Sequence, residues 1–317
     1  MKKNTAILII FVSILHFGCH SYKEYTYNKF LVGSACDIKF YLNNDSIADI
    51  ILDNIDNELI RVDSLLNRFS QTSLVSALNR DLKVAAPKDI IQLVMLSDSI
   101  SSITDGLFDI SIAPLVEVWG FYEHEFTDPD TAVIQTALSL VDYKKIKTND
   151  DSIRIQPNMK LDFGGIAQGY AADRVAEILK KYNVKSALVN VGGEIVTIGR
   201  SPKARSWRIG IKNPRGQGLV ETVEIENSAL STSGDYEKFF LFENKRYPHI
   251  INPKTGYPAL DFASVTVFAK SAAYADAIAT AVAIMGHERG LKFLDSLGIN
   301  GIIYYENKGD LQRIESK

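Results

Sequence analysis

The sequence predicts one mixed α+β domain, and two patterns carry this prediction. Apolar residues recur at helical spacing from about residue 46 to 69, and a second helical stretch follows Pro87. From residue 150 onward, short runs typical of strands dominate, with two helices between them. No repeat, low-complexity tract or linker divides the chain. Its 317 residues, 46% hydrophobic and 23% charged, suffice for one large core.

Helix start signals predict where the first two helices begin. Ser46 is followed three positions later by Asp49, an arrangement like a capping box. Pro87 suits the first turn of the second helix, which is predicted to run to about Ile103. The other predictions are a strand at 30–42, a turn at 104–110, a loop at 122–130, strands at 152–156, 187–191, 207–212, 220–225, 229–232, 239–242 and 263–268, and helices at 169–181 and 272–285.

The N-terminus is typical of a targeting segment. Lys2 and Lys3 precede an apolar run over 6–17 that is too short to span a bilayer, and Gly18 and Cys19 follow. This pattern resembles a bacterial lipoprotein signal in which Cys19 is lipidated. An uncleaved anchor and an ordinary signal peptide are the alternatives. We expect a signal peptide at 1–18, a tether at 19–29 and the folded domain at 30–317.

Cysteine usage and net charge narrow the function classes. Lipidation of Cys19 would leave Cys36 as the one other cysteine, so no internal disulfide is expected and Cys36 is predicted to be buried. The formal net charge of -3 gives no basic footprint, which argues against nucleic acid as a partner.

The run from 161 to 173 is the most informative part of the chain. Asp162 is followed by Gly164 and Gly165, and a helical pattern begins shortly after. Glycine permits positive φ and close approach of a ligand. Peptide groups in such a turn beside a helix start suit an anionic ligand or a metal. A turn without further function is the alternative.

Four other segments could carry chemistry. Asp276 and Thr280 are four residues apart in an alanine-rich helix, so they share one face and offer hard oxygen donors that suit Mg²⁺. The alternative is that Thr280 bonds back to the helix while Asp276 faces solvent. His249 lies beside the turn at 252–256, where a general base or a phosphate ligand is commonly built, although a structural histidine is equally compatible. The turns at 190–194 and 231–236 suit phosphate oxygens or a plain hairpin.

Taken in order, these segments resemble the ApbE family, the FAD:protein FMN transferases. The resemblance implies a single mixed α/β domain of the T-fold-like ApbE type that binds FAD and Mg²⁺ and is lipid-anchored, facing the periplasm at the inner or outer membrane. It implies transfer of the FMN half of FAD to a threonine hydroxyl, with release of AMP. The acceptors would be subunits of membrane redox complexes that carry a flavinylation-tag threonine. The resembling segments are 108–121, 161–173, 188–194, 231–236, 249–258 and 264–286.

The resemblance also implies roles for single residues. His249 is the catalytic candidate, with Asp162 as a second candidate base; an imidazole with an unperturbed pKa of about 6.5 can take a hydroxyl proton at neutral pH. The implied metal ligands are the side chains of Asp276 and Thr280 and the main-chain carbonyl of Gly165. The implied FAD contacts are Phe69, Trp119, Gly120, Phe121, Asp162, Gln168 and Ile250.

One departure from the family pattern bears on function. Many members carry lysine where this chain has Gln168, and glutamine offers only a neutral hydrogen bond. This favours an alternative in which the protein is a periplasmic FAD-binding lipoprotein without transfer. A further alternative is an FAD pyrophosphatase, in which water replaces the threonine.

Overall fold

The described structure spans residues 22–121, 129–242 and 245–317 of a computed structural model. The predicted lipidation site Cys19 and signal segment lie outside these residues, as does most of the predicted loop at 122–130. Among the described residues, no helix has both the length and the apolar character needed to cross a bilayer.

Eight helices and fifteen strands make up the described chain. The helices are α1 (Asp45–Leu66), α2 (Leu74–Asp81), α3 (Lys88–Ile103), α4 (Ala113–Trp119), α5 (Thr131–Leu138), α6 (Ala167–Lys181), α7 (Ala272–Met285) and α8 (His287–Leu297). The strands are β1 (Lys23–Leu31), β2 (Ser34–Leu42), β3 (Lys83–Ala85), β4 (Lys147–Thr148), β5 (Ser152–Arg154), β6 (Ala187–Val191), β7 (Glu194–Ile198), β8 (Trp207–Lys212), β9 (Leu219–Ile225), β10 (Ala229–Gly234), β11 (Phe239–Phe242), β12 (Lys245–Pro248), β13 (Ser264–Ala269), β14 (Gly301–Asn307) and β15 (Asp310–Glu315).

An antiparallel sheet of eight strands forms the centre of the fold. Its strand order is β1-β2-β6-β7-β10-β13-β14-β15. Helices α6 and α7 pack on one face, and α1 packs against α6. The β8–β9 hairpin covers part of the other face, where Trp207 and Ile209 form a core with Leu230. Both faces of the central strands are therefore buried, which confirms the predicted α+β class.

Helices α6 and α7 approach each other closely at Gly169. A Cβ on Gly169 would lie 2.4 Å from the carbonyl oxygen of Ala272, so only glycine fits there. Asp173 then caps α7: its carboxylate accepts hydrogen bonds from the Ser271 hydroxyl at 2.7 Å and from the Ala272 and Ala273 amides at 2.8 and 3.0 Å. This junction fixes where the side chains of α7 point.

The N-terminal boundaries differ from the sequence predictions. Most of the predicted tether at 19–29 and the start of the predicted 30–42 strand form β1, which pairs with β2 along its whole length. Val32 and Gly33, with φ of 52° and 70°, make the tight turn between them. Valine rarely adopts positive φ, so the turn left little sequence signal. The first helix is capped by Asn44, whose side chain accepts from the Ile47 amide, and not by Ser46.

Most other predicted elements are confirmed within one to three residues. Pro87 lies immediately before α3. Cys36 is a fully buried thiol, as predicted. The elements without a prediction are short or terminal, namely α2, α4, α5, α8, β3, β4, β7, β12, β14 and β15.

The α6–α7 contact leads to a stability prediction. Gly169→Ala should destabilise the protein by about 1–3 kcal/mol, because the added methyl group collides with backbone that cannot retreat. Alanine is intrinsically the better helix former by about 1 kcal/mol. Urea denaturation of this variant and of Lys180→Ala, an exposed change on the same helix, gives the comparison. Equal or greater stability of Gly169→Ala would contradict the close contact.

Candidate functional site

A cavity of about 430 Å³ opens beside the α6–α7 junction. It is bounded by the 161–165 turn, the starts of α6 and β7, the end of β10 and the segment around His249. The sequence predictions therefore converge on one place although they come from segments far apart in the chain. The predicted site residues that line the cavity are Phe69, Asp162, Gly165, Gln168, His249, Ile250, Asp276 and Thr280.

Trp119, Gly120 and Phe121, three of the predicted FAD contacts, are not among the residues that line this cavity. Trp119 is 1% exposed, and its indole N–H donates to the carbonyl of Gly256 at 2.7 Å. Its ring stacks on Phe121 and Tyr247 in a second apolar cluster. Through this hydrogen bond and its edge contact with Tyr257, Trp119 supports the turn that follows His249.

Asp276 is buried and faces the α6–α7 junction. Its Oδ2 accepts a hydrogen bond from the Gly169 amide at 3.2 Å. The solvent-facing alternative for Asp276 is therefore wrong. Burial, with the nearby charges of Glu237 and Asp173, raises the pKa of Asp276 to about 7.

Glu194 is a second buried carboxylate beside Asp276, and it was not predicted. It is 5% exposed and lines the cavity at the start of β7. Burial and the charge of Asp276 raise the pKa of Glu194 well above its usual value. In the sequence, Glu194 is the charged residue at the start of the mainly apolar β7, directly after the Gly192–Gly193 turn. This pattern suggested only a hairpin or a phosphate contact.

These oxygens fit a hard divalent cation. A Cβ on Gly165 would lie 3.2 Å from Oγ1 of Thr280, so the bare glycine backbone and this hydroxyl are close neighbours. Adjacent buried carboxylates are unfavourable unless positive charge compensates them. In the described parts of the chain, no three His, Cys, Asp or Glu side chains converge as a metal site. A cation bound here would therefore also need oxygen donors such as the Thr280 hydroxyl and a main-chain carbonyl.

Asp162 is held by partners on both oxygens. Oδ1 accepts from the Gly164 amide at 2.8 Å, and Oδ2 lies 2.9 Å from Nε of Arg68. Arg68 also lies 4.5 Å from the centre of the Phe69 ring, which is 60% exposed at the cavity rim. Asp162 thus fixes the glycine turn, and this engagement weakens the case for Asp162 as the base. Sequence reasoning missed Arg68, which sits in an unremarkable polar turn.

His249 has one nitrogen committed to the backbone. Its Nδ1 lies 3.2 Å from the carbonyl oxygen of Lys238, which can only accept, so Nδ1 carries the proton and the neutral ring has a lone pair on Nε2. Part of the ring surface opens to the cavity, but protein surrounds the rest. This desolvation lowers the pKa of His249 to about 4, well below the unperturbed value used in the sequence prediction.

Gln168 packs against two turns of the cavity wall. Its Nε2 donates to the Val32 carbonyl at 3.4 Å. A Cβ on Gly192 would lie only 2.5 Å from Oε1 of Gln168, so the amide rests directly on that glycine. Among the described cavity residues, positive charge comes from Arg68 and Lys238.

Asp276 should make the cation-free protein less stable as pH rises. The pKa of this carboxyl is about 4 in the unfolded chain and about 7 in the folded protein, so the folded state binds the proton more tightly. The resulting stabilisation is complete below about pH 4 and is lost as the pH rises from about 4 to about 7. Asp276→Asn removes this titration and keeps the acceptor for Gly169. We expect the variant to be roughly 1–3 kcal/mol more stable than wild type at pH 8, with a smaller gain at pH 5.

Thermal or urea unfolding at the two pH values, in the presence of a chelator, measures this difference. A gain of the same size at both pH values would contradict the buried, titrating carboxyl. With 10 mM Mg²⁺ the order should reverse, since a ligand stabilises only the protein that binds it.

His249 should stay neutral across the physiological range. Its pKa of about 4 means that the ring does not titrate between pH 5.5 and 8 in the free protein. Histidine NMR measures this directly, with His249→Gln used to assign the signal. A His249 resonance that titrates near pH 6.5 would contradict the desolvated environment.

Comparisons with known proteins identify the family of this chain. The model of the ApbE family matches residues 32–303. A protein of Klebsiella pneumoniae named FAD:protein FMN transferase is 32% identical over 277 residues, which cover 84% of each chain. A protein of the same name from Treponema pallidum is 27% identical and covers 90% of this chain and 86% of its own.

Solved structures show the same fold. The apo form of the flavinyl transferase ApbE of Pseudomonas stutzeri superposes with a TM-score of 0.86 at 29% identity, covering 93% of this chain and 95% of its own. The flavin transferase ApbE of Vibrio cholerae gives 0.85 at 26% identity, with 94% and 98% covered. The family match spans most of the chain, so this protein belongs to the ApbE family.

Proposed function

We propose that this protein is an FAD:protein FMN transferase. It transfers the FMN moiety of FAD to a threonine hydroxyl of an acceptor protein, requires Mg²⁺ and releases AMP. The observation that carries the proposal is the meeting of Asp276, Thr280 and Gly165 with His249 in one cavity. The names of the relatives support the transferase class and the flavin substrate.

The cavity suits part of a large anionic ligand. Its volume of about 430 Å³ lies within the usual range of about 300–1,000 Å³ for ligand pockets. Phe69 at the rim and buried Ile250 provide apolar surface for a flavin or adenine ring. Lys238 and Arg68, the latter paired with Asp162, bring positive charge to the wall.

The residues divide the chemistry between them. Asp276, Thr280 and the Gly165 carbonyl would hold Mg²⁺, which neutralises charge on the pyrophosphate when bound. Nε2 of His249 is the free basic nitrogen of the neutral ring and accepts the proton of the threonine hydroxyl. Its low pKa makes it a weak base in the free protein, and nearby phosphate charge would strengthen it. Asp162 keeps the glycine turn in place through Arg68.

The setting of the reaction is also a proposal. The charged start, the short apolar run and Cys19 support an exported protein anchored by a lipid and facing the periplasm. Subunits of membrane redox complexes that carry a flavinylation-tag threonine would then be within reach as acceptors. The intact mass of membrane-extracted protein tests the modification of Cys19.

A transfer assay tests the activity. The protein is incubated with FAD, Mg²⁺ and a tagged acceptor, and flavin fluorescence in the gel and a mass gain on the acceptor are measured. Asp276→Asn should abolish transfer, and His249→Gln should slow it by about 10²-fold or more, the usual loss for a general base. Lys180→Ala serves as the surface control.

The alternatives give different products. Tight FAD binding with an unlabelled acceptor would indicate the FAD-binding lipoprotein and contradict the proposal. Release of AMP and FMN without acceptor labelling would indicate the pyrophosphatase.

A further inference from the structure

Glu194 points from the sheet toward the α6–α7 junction. Along β7, Val196 packs into the core under the helices and Ile195 packs with Trp207 on the opposite face of the sheet. Side chains alternate between the two faces of a strand, so Glu194 shares the face of Val196. It therefore faces the same space as Asp276, and both side chains line the cavity.

The Glu194 carboxylate lacks a hydrogen-bond partner on one of its oxygens among the described residues. The side chain is 95% buried, and the oxygen concerned is Oε2. The neighbouring Ser231 hydroxyl favours the charged form, but the charge of Asp276 acts against it. Buried polar atoms in folded proteins are nearly always satisfied, and an exception calls for a ligand or an ion.

We propose that Glu194 is a further ligand of the cation site, a second carboxylate that binds the divalent cation together with Asp276. The inference rests on the proposed function, which supplies the cation. A cation between the two side chains would account for the unpaired Oε2 of Glu194 and for the burial of two neighbouring acids. It would give Oε2 a partner and compensate the charge of both carboxylates.

Glu237 provides a matched control. It is another carboxyl that lines the cavity, and its charge also acts on Asp276. Lys212 and Lys238 lie near enough to act on it, so its charge has compensation that Glu194 lacks. Glu237→Gln therefore removes one negative charge from the same wall without removing the proposed ligand.

The experiment is Mn²⁺ binding to the full protein without FAD, followed by electron paramagnetic resonance and calorimetry. Wild type, Glu194→Gln, Glu237→Gln and Asp276→Asn are compared, with urea unfolding to confirm that each is folded. We expect Glu194→Gln to weaken Mn²⁺ binding about 10–100-fold, Glu237→Gln by less than about threefold, and Asp276→Asn to abolish it. Glu194→Asp, which keeps the charge on a shorter stem, should recover part of the affinity.

The other possible outcomes contradict different parts of the proposal. Unchanged binding in Glu194→Gln with loss in Asp276→Asn overturns the role of Glu194 and leaves the proposed function standing. Equal weakening in Glu194→Gln and Glu237→Gln overturns direct binding, because a general loss of negative charge then explains the effect. Unchanged binding in Asp276→Asn, or no binding by wild type below millimolar Mn²⁺, overturns the cation site itself.

Discussion

The contact between the starts of α6 and α7 is the constraint on which the site depends. Gly169 lets the two helices approach until the backbone of one meets that of the other, and the Asp173 carboxylate caps α7 from α6. These two interactions fix the rotation of α7 and aim Asp276 at the amide of Gly169. The 161–165 turn leads directly into α6, so Gly165 is placed opposite Thr280 by the same junction.

This placement concentrates negative charge inside the protein. Asp276 and Glu194 are both buried, and burial raises the pKa of each. Two adjacent buried acids are costly for a fold, because uncompensated buried charge is among the most unfavourable features a core can contain. A cation bound between these side chains would compensate their charge and offset the cost of burying them.

Much of the fold was predictable because local pattern determines it. Apolar periodicity and capping residues located α1, α3, α6 and α7, and the ordered motifs identified the family. The missed features depend on distant contacts. Glu194 becomes a site candidate only because the fold places β7 under α7. Arg68 does so only because the fold brings its turn to Asp162. The hydrogen bond from the Trp119 indole N–H to the Gly256 carbonyl likewise joins residues far apart in the chain, so no local sequence pattern indicates it.

The proposed chemistry depends on a divalent cation held by Asp276, Thr280 and Gly165 at the pyrophosphate of FAD. Anomalous diffraction from crystals grown with Mn²⁺ and FAD would locate this cation. We expect one strong Mn²⁺ peak in contact with the Asp276 carboxylate, the Thr280 hydroxyl and the Gly165 carbonyl, adjacent to the FAD phosphates. FAD bound in the cavity with no peak at these three oxygens, or with the peak elsewhere, would contradict it.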